Sequence, residues 1–160
     1  MNDEQLNELG KHLNDISNVL LYQIRAQGIE KVLDYSTEHF YRENWKRISI
    51  RKEFLEPWRD VLDVDAMAVE VIITSDKETE IHYHKNAYAV VTILGKREGV
   101  TDPDHCVYYF DSKEAAHQAV PGITLQILPS LVHGFCSDGV HPISFLSVQS
   151  KKINEDFHPV

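Results

Sequence analysis

His82 and His84 stand two residues apart, and with His133 they are the residues of this chain best suited to chemistry. A β-strand alternates its side chains, so positions two apart face the same way. The stretch Glu80–Gly95, EIHYHKNAYAVVTILG, reads as one strand, with two imidazoles on one face and then an apolar run closed by glycine. Neutral imidazole is a borderline nitrogen donor that suits iron, zinc, copper and nickel. A divalent ion held by two such donors needs a third or fourth from elsewhere. His133, in GITLQILPSLVHGF (residues 122–135), is the candidate. The plainer alternatives are two exposed strand histidines, or a barrel that has lost its metal. Tyr88, four after His84, shares the histidines' face if the strand stays regular. There it can ligate as phenolate, hydrogen-bond a ligand or line a pocket.

The elements that must position these residues are legible in outline. Asn2 or Asp3 can cap a helix in which Leu6, Leu9, Leu13, Ile16, Leu20 and Ile24 recur every three or four residues. Gly28 ends it, and a second helical segment carries Ile29, Val32, Leu33 and Phe40. Residues 1–45 therefore read as a two-helix extension, whose apolar stripe must be covered by the rest of the chain or by a partner. From Trp45 the period changes to two. Strands are expected near Lys46–Phe54, Ala66–Thr74, Ile81–Leu94, Cys106–Phe110, Ala115–Val120, Ile123–Leu128, Val132–Cys136 and Ile143–Gln149. Turn-formers such as Thr101-Asp102-Pro103-Asp104, Pro121-Gly122 and Ser137-Asp138-Gly139 separate most of them. Short strands at this spacing predict an antiparallel sandwich or barrel over residues 46–160.

Composition narrows the partners. With 160 residues, one domain suffices. A net charge of −9 and the absence of a basic cluster argue against nucleic acid or an anionic membrane as partner. The acidic, amphipathic N-terminus is unlike a signal peptide, and no apolar run is long enough to span a bilayer. Cys106 and Cys136 form no redox or metal spacing and read as reduced thiols, so a cytoplasmic protein is expected. His105 and Cys106 follow Asp102-Pro103-Asp104 at a loop-to-strand junction, with no matching pair visible. His141-Pro142 reads as a turn.

HxH at His82 and His84, a strand and a closing glycine resemble the first cupin motif. Gly122, Pro129 and His133 resemble the second. The resemblance spans about Trp45 to Ser150 and implies an all-β double-stranded β-helix, the cupin or jelly-roll barrel, behind the helical extension. It implies a divalent metal on His82, His84 and His133. Three departures stand out: Tyr88 occupies the usual glutamate position, Ser75–Thr79 lacks the leading glycine, and Ser130-Leu131 replaces the glycine before the second-motif histidine. Three histidines without a carboxylate also resemble the iron site of thiol dioxygenases and diketone-cleaving cupins, so Fe(II) leads over Zn, Ni, Mn and Cu. Arg47 or Arg51 is then a partner for a substrate carboxylate. The late strand offers Ser144, Leu146 and Val148 where thiol dioxygenases alternate Ser, His and Tyr, which argues against that particular enzyme. The expectation is a small-molecule oxygenase, with a non-catalytic ligand-binding cupin or a non-redox isomerase or lyase as alternatives. The helical arm suits a homodimer.

Overall fold

The computed structural model describes residues 1–42, 44–77, 81–112, 114–152 and 157–160. Helix α1, Asp3–Gln27, begins with a capping box. The Asn2 side chain accepts from the Gln5 backbone N–H, and the Asn2 N–H donates to the Gln5 side chain. Gly28, at φ 94°, ends it in the left-handed region that glycine tolerates best. The second helix is one turn only, α2 at Ile29–Val32.

Here the helical expectation is corrected, because residues 33–42 form strand β1, Leu33–Arg42, rather than helix. The segment is rich in aromatic and hydroxyl side chains (Tyr35, Ser36, Thr37, Phe40, Tyr41), which fit a pleated surface. Its backbone pairs antiparallel with β2, Trp45–Ile50, through Leu33↔Ile50 and His39↔Arg47. Cross-strand pairing outweighs the weak helical period. The change from helix to strand thus comes at Leu33, not at Trp45.

After a 3-10 helix over Lys52–Trp58 come β3 (Ala68–Thr74), β4 (His82–Tyr83), β5 (Ala89–Ile93) and β6 (Cys106–Phe110). Then follow β7 (Ala116–Gln118), β8 (Thr124–Ile127), β9 (His133–Ser137), β10 (Ile143–Gln149) and β11 (His158–Pro159). One sheet runs β1-β2-β3-β10-β5-β8 and the other β11-β4-β9-β6-β7. Among the described residues, the pairings between these strands are antiparallel.

Two apolar layers result. Between the sheets lie Ile72, Val91, Ile93, Leu125, Ile127, Phe135 and Phe145. On the outer face of the six-stranded sheet, α1 sets Leu13, Ile16, Leu20 and Ile24 against Val71, Val90, Leu94, Leu146 and Val148. Strands β5 and β10 are therefore covered on both faces, which is why they read as nearly continuous apolar runs. The helical stripe is buried by the chain's own sheet. The polar atoms under the helix find partners: Ser17 Oγ lies 2.9 Å from Thr92 Oγ1, itself 3.0 Å from Thr124 Oγ1. Among the described residues, no helix is long and apolar enough to cross a membrane.

Candidate metal centre

Strands β4 and β9 are neighbours in the five-stranded sheet, and the register sets His82 directly opposite His133. His84 lies one residue past β4, where its carbonyl accepts the Ser130 N–H at 2.6 Å and ties the two segments together. All three imidazoles are buried, and their ligand-capable nitrogens lie within 4.8 Å of one another. Ring centroids are 4.3 Å apart for His82–His133, 5.0 Å for His82–His84 and 5.1 Å for His84–His133. The β4–β9 register and the Ser130–His84 bond just past β4 thus bring together the three residues that the spacing singled out.

The donor set fits a divalent first-row ion. His133 Nδ1 is 2.9 Å from the carbonyl of Leu131, an acceptor only, so Nδ1 carries the proton and Nε2 keeps a free lone pair. Burial pushes the His133 pKa down to about 4, with the backbone carbonyl pulling up and His84 adding a small downward push. A neutral base near neutral pH is what metal ligation requires. Ser130, at one of the two positions where the cupin pattern has a glycine before the histidine, sits at φ 71°, a glycine-like conformation. Serine thus stands in a conformation that glycine adopts more easily. Residues 78–80 lie outside the described residues, so the departure at Ser75–Thr79, the missing glycine ahead of His82, is only partly placed.

Tyr88 is not at this centre. The chain bends at Lys85-Asn86 between β4 and β5, and that break resets the alternation. Tyr88 joins Val90 and Leu94 on the outer layer, under α1. Its hydroxyl donates to Gln126 Oε1 at 3.3 Å, and its ring lies against Gly10. Desolvation raises its pKa, the opposite of what a phenolate ligand needs. The expectation of a shared face is corrected, and Gln126 also faces outward.

Arg51 is exposed at the start of the 3-10 helix, with its backbone N–H bonded to Val32, and is not brought to the centre. Arg47 is buried, points to the inner side of the six-stranded sheet and is paired with Glu70. Its guanidinium carbon lies 5.5 Å from the centroid of the Tyr41 ring. Tyr41 approaches Phe157 at 6.4 Å, and Phe157 stacks on His82 at 4.4 Å. Tyr41 and Phe157 thus form a chain of ring contacts from Arg47 to His82. A cavity of about 540 Å³ opens beside it, lined by His39, Tyr41, Arg47, Glu70 and Lys152 among others. Burial pushes the Glu70 carboxyl up, against the pull of Arg47. Neither Phe157 nor Glu70 stood out in the sequence. Phe157 is 75 residues from His82 with no periodicity to link them, and Glu70 is one polar position in an apolar strand.

The inward positions of β10 are Ile143, Phe145, Ser147 and Gln149, whereas Ser144, Leu146 and Val148 face outward. Neither set supplies the His and Tyr of a thiol dioxygenase. Both cysteines are buried, and burial pushes the Cys106 thiol up to about 11.

No protein-family model matches the chain, and no curated protein matches it. Solved structures do. A sugar phosphate isomerase of the cupin superfamily from Silicibacter pomeroyi superposes with TM-score 0.51 at 14% identity, over 80% of this chain and 90% of that one. A cupin-2 domain protein from Rhodospirillum rubrum gives 0.52 at 12%, over 80% and 74%. The chain has the cupin fold. The Streptomyces nucleoside dehydratase Pac13, with TM-score 0.53 at 10% identity over 80% of this chain and 88% of that one, shares the same barrel. In this chain His82 and His133 stand on the five-stranded sheet, and His84 lies just past β4.

Proposed function

We propose that this cupin is an enzyme acting on a small molecule, with one divalent metal held by His82, His84 and His133, and with oxygen activation at Fe(II) as the leading chemistry. The observation that carries this is the convergence of three buried imidazoles, one of them fixed in the ligating tautomer. Bound there, the metal supplies Lewis acidity, or redox capacity if it is iron. With three neutral protein donors the ion keeps its full charge, which favours an anionic, oxygen-bearing substrate. Phe157, stacked on His82, would limit water at that side of the centre. Arg47 and Tyr41 line the cavity beyond it. Because Glu70 already balances Arg47, Arg47 meets a substrate as a shared hydrogen-bond donor rather than as a free charge.

One observation favours a second, non-redox reading. Glu70 is buried on the inner side with its pKa raised, and a carboxyl so placed can pass a proton in an isomerase or lyase. Oxygen-electrode measurements on Fe(II)-loaded protein, with thiols, diketones and aromatic diols, separate the two. Substrate-dependent uptake that is lost in His84→Ala supports the oxygenase. Anaerobic turnover with zinc or nickel that is lost in Glu70→Gln supports the isomerase or lyase. Ligand-induced thermal shifts without turnover over the whole panel support a binding module instead. The proposal includes a homodimer. Since α1 spends its stripe on the sheet, the apolar groups it still offers are Val19 and Tyr22 on its exposed side, and light scattering of Tyr22→Glu against wild type tests that contact.

A further inference from the structure

At the other end of β9 a second set of ligand-type side chains converges. Cys106 pairs with Ser137 in the antiparallel β6–β9 register, so the next residues outward, His105 and Asp138, face each other. His141 follows in the same turn. His105 Nδ1 lies 3.0 Å from Asp138 Oδ2, and His141 Nδ1 lies 2.7 Å from that same oxygen. Two ring nitrogens from separate loops thus aim at one carboxylate oxygen. The carboxylate is held in place from behind, because Oδ1 accepts the backbone N–H groups of Val140 and His141 at 2.9 and 2.7 Å. These bonds and His141 hold the Asp138 carboxyl far below its usual range, so it is ionised.

Donor atoms around a first-row divalent ion, at bonds of about 2.0–2.2 Å, sit roughly 3–3.5 Å from one another. The His105 and His141 nitrogens are already near that spacing from the shared oxygen. The two rings lie face to face, with centroids 3.8 Å apart and planes at 11°, and must splay to direct both lone pairs at one ion. Both side chains are over one-third exposed, which leaves room for the rotation. Asp102 Oδ2 is 4.0 Å from His105 Nε2, the place of an outer carboxylate that takes the second ring N–H when the first nitrogen carries metal. The nearby Cys106 sulfur is turned to the carbonyls of His141 and Pro142, each at 3.6 Å, so it does not compete as a ligand. Along β9, Asp138 is five residues from His133, or about 16 Å at the usual strand rise. The two clusters are separate.

We propose that His105, Asp138 and His141 form a second site for a borderline divalent metal, zinc, nickel or copper, which clamps the Asp102–His105 loop to the Asp138–His141 turn. Calcium and magnesium are disfavoured, since they prefer all-oxygen ligands. The ion would leave at least one coordination position to water and act on the barrel end remote from His133.

Calorimetric titration of chelator-stripped full-length protein with zinc tests this. His133→Ala should still take up one saturable equivalent, and His133→Ala/Asp138→Asn should not. Asn keeps the turn, because its Oδ1 accepts the same two N–H groups, so the loss reports ligation rather than folding. Asp102→Asn should weaken that equivalent about ten-fold. Independently of the barrel centre, Asp138→Asn alone should bind one equivalent fewer than wild type. No zinc uptake by folded His133→Ala, or equal uptake with and without Asp138, overturns the proposal. If wild type and Asp138→Asn each bind one equivalent that His133→Ala loses, this site fails while the barrel centre stands. Should Asp138→Asn lose the only equivalent, the barrel reading fails instead.

Discussion

Tyr88 is expected to be a packing residue rather than an acid, base or ligand, and a coupling with Gly10 tests this. A Cβ placed on Gly10 would lie 2.7 Å from the Tyr88 hydroxyl oxygen and 3.0 and 3.2 Å from two ring carbons. Ordinary carbon contacts are about 3.5–4.0 Å. Gly→Ala inside a helix gains about 1 kcal/mol of intrinsic propensity, whereas overpacking a tight interface costs about 1–3 kcal/mol. Gly10→Ala should therefore destabilise the wild type, by roughly 1 kcal/mol when the two terms are combined. Tyr88→Phe removes the nearest clashing atom at the cost of the bond to Gln126, about 1 kcal/mol or less at 3.3 Å. In that background Gly10→Ala should be neutral or stabilising. The cycle then has a coupling of about 1 kcal/mol, measured by urea unfolding of the four proteins. Metal content should not change in Tyr88→Phe. If Gly10→Ala stabilises both backgrounds equally, or Tyr88→Phe loses metal, Tyr88 does not lie under α1 and the account of the outer layer is wrong.

Two further outcomes concern buried titratable groups. His133 has its folded pKa lowered to about 4 from an ordinary 6.5, so its contribution to stability is complete above 6.5 and is lost as pH falls towards 4. Metal-stripped protein should lose up to about 3 kcal/mol from this group over that range, and urea titrations should show the slope flattened in His133→Asn; equal slopes would contradict it. Arg47→Ala leaves Glu70 buried without its partner and should cost about 3–5 kcal/mol, whereas Arg47→Met/Glu70→Leu should stay close to wild type. A cost under about 1 kcal/mol for the single change would mean the pair is solvated.

What could be read from the sequence was whatever depends on short-range period. The stripe on α1, the alternation that aligns His82 with His84, and the Pro129-to-His133 segment are all local patterns. The barrel core follows from them. Less legible were features set by pairing or by a break in period. Residues 33–42 carry apolar groups at helix-compatible spacing but become β1 because β2 offers a partner edge. Tyr88 changed face because Lys85-Asn86 interrupts the strand; a polar, turn-forming pair inside an apolar run was the available signal. Arg47 looked like a free cation, yet its neutralising carboxylate sits on the neighbouring strand, 23 residues on. Likewise, His105 found no partner by spacing because Asp138 and His141 reach it only through the β6–β9 register.

The proposed function rests on His82, His84 and His133 holding a metal. Metal content per chain of the protein, loaded and desalted, compared between wild type and His133→Ala, tests it most directly. The variant should carry one equivalent fewer, with the fold retained by circular dichroism. Equal metal content in the two proteins, or none in either, would contradict it.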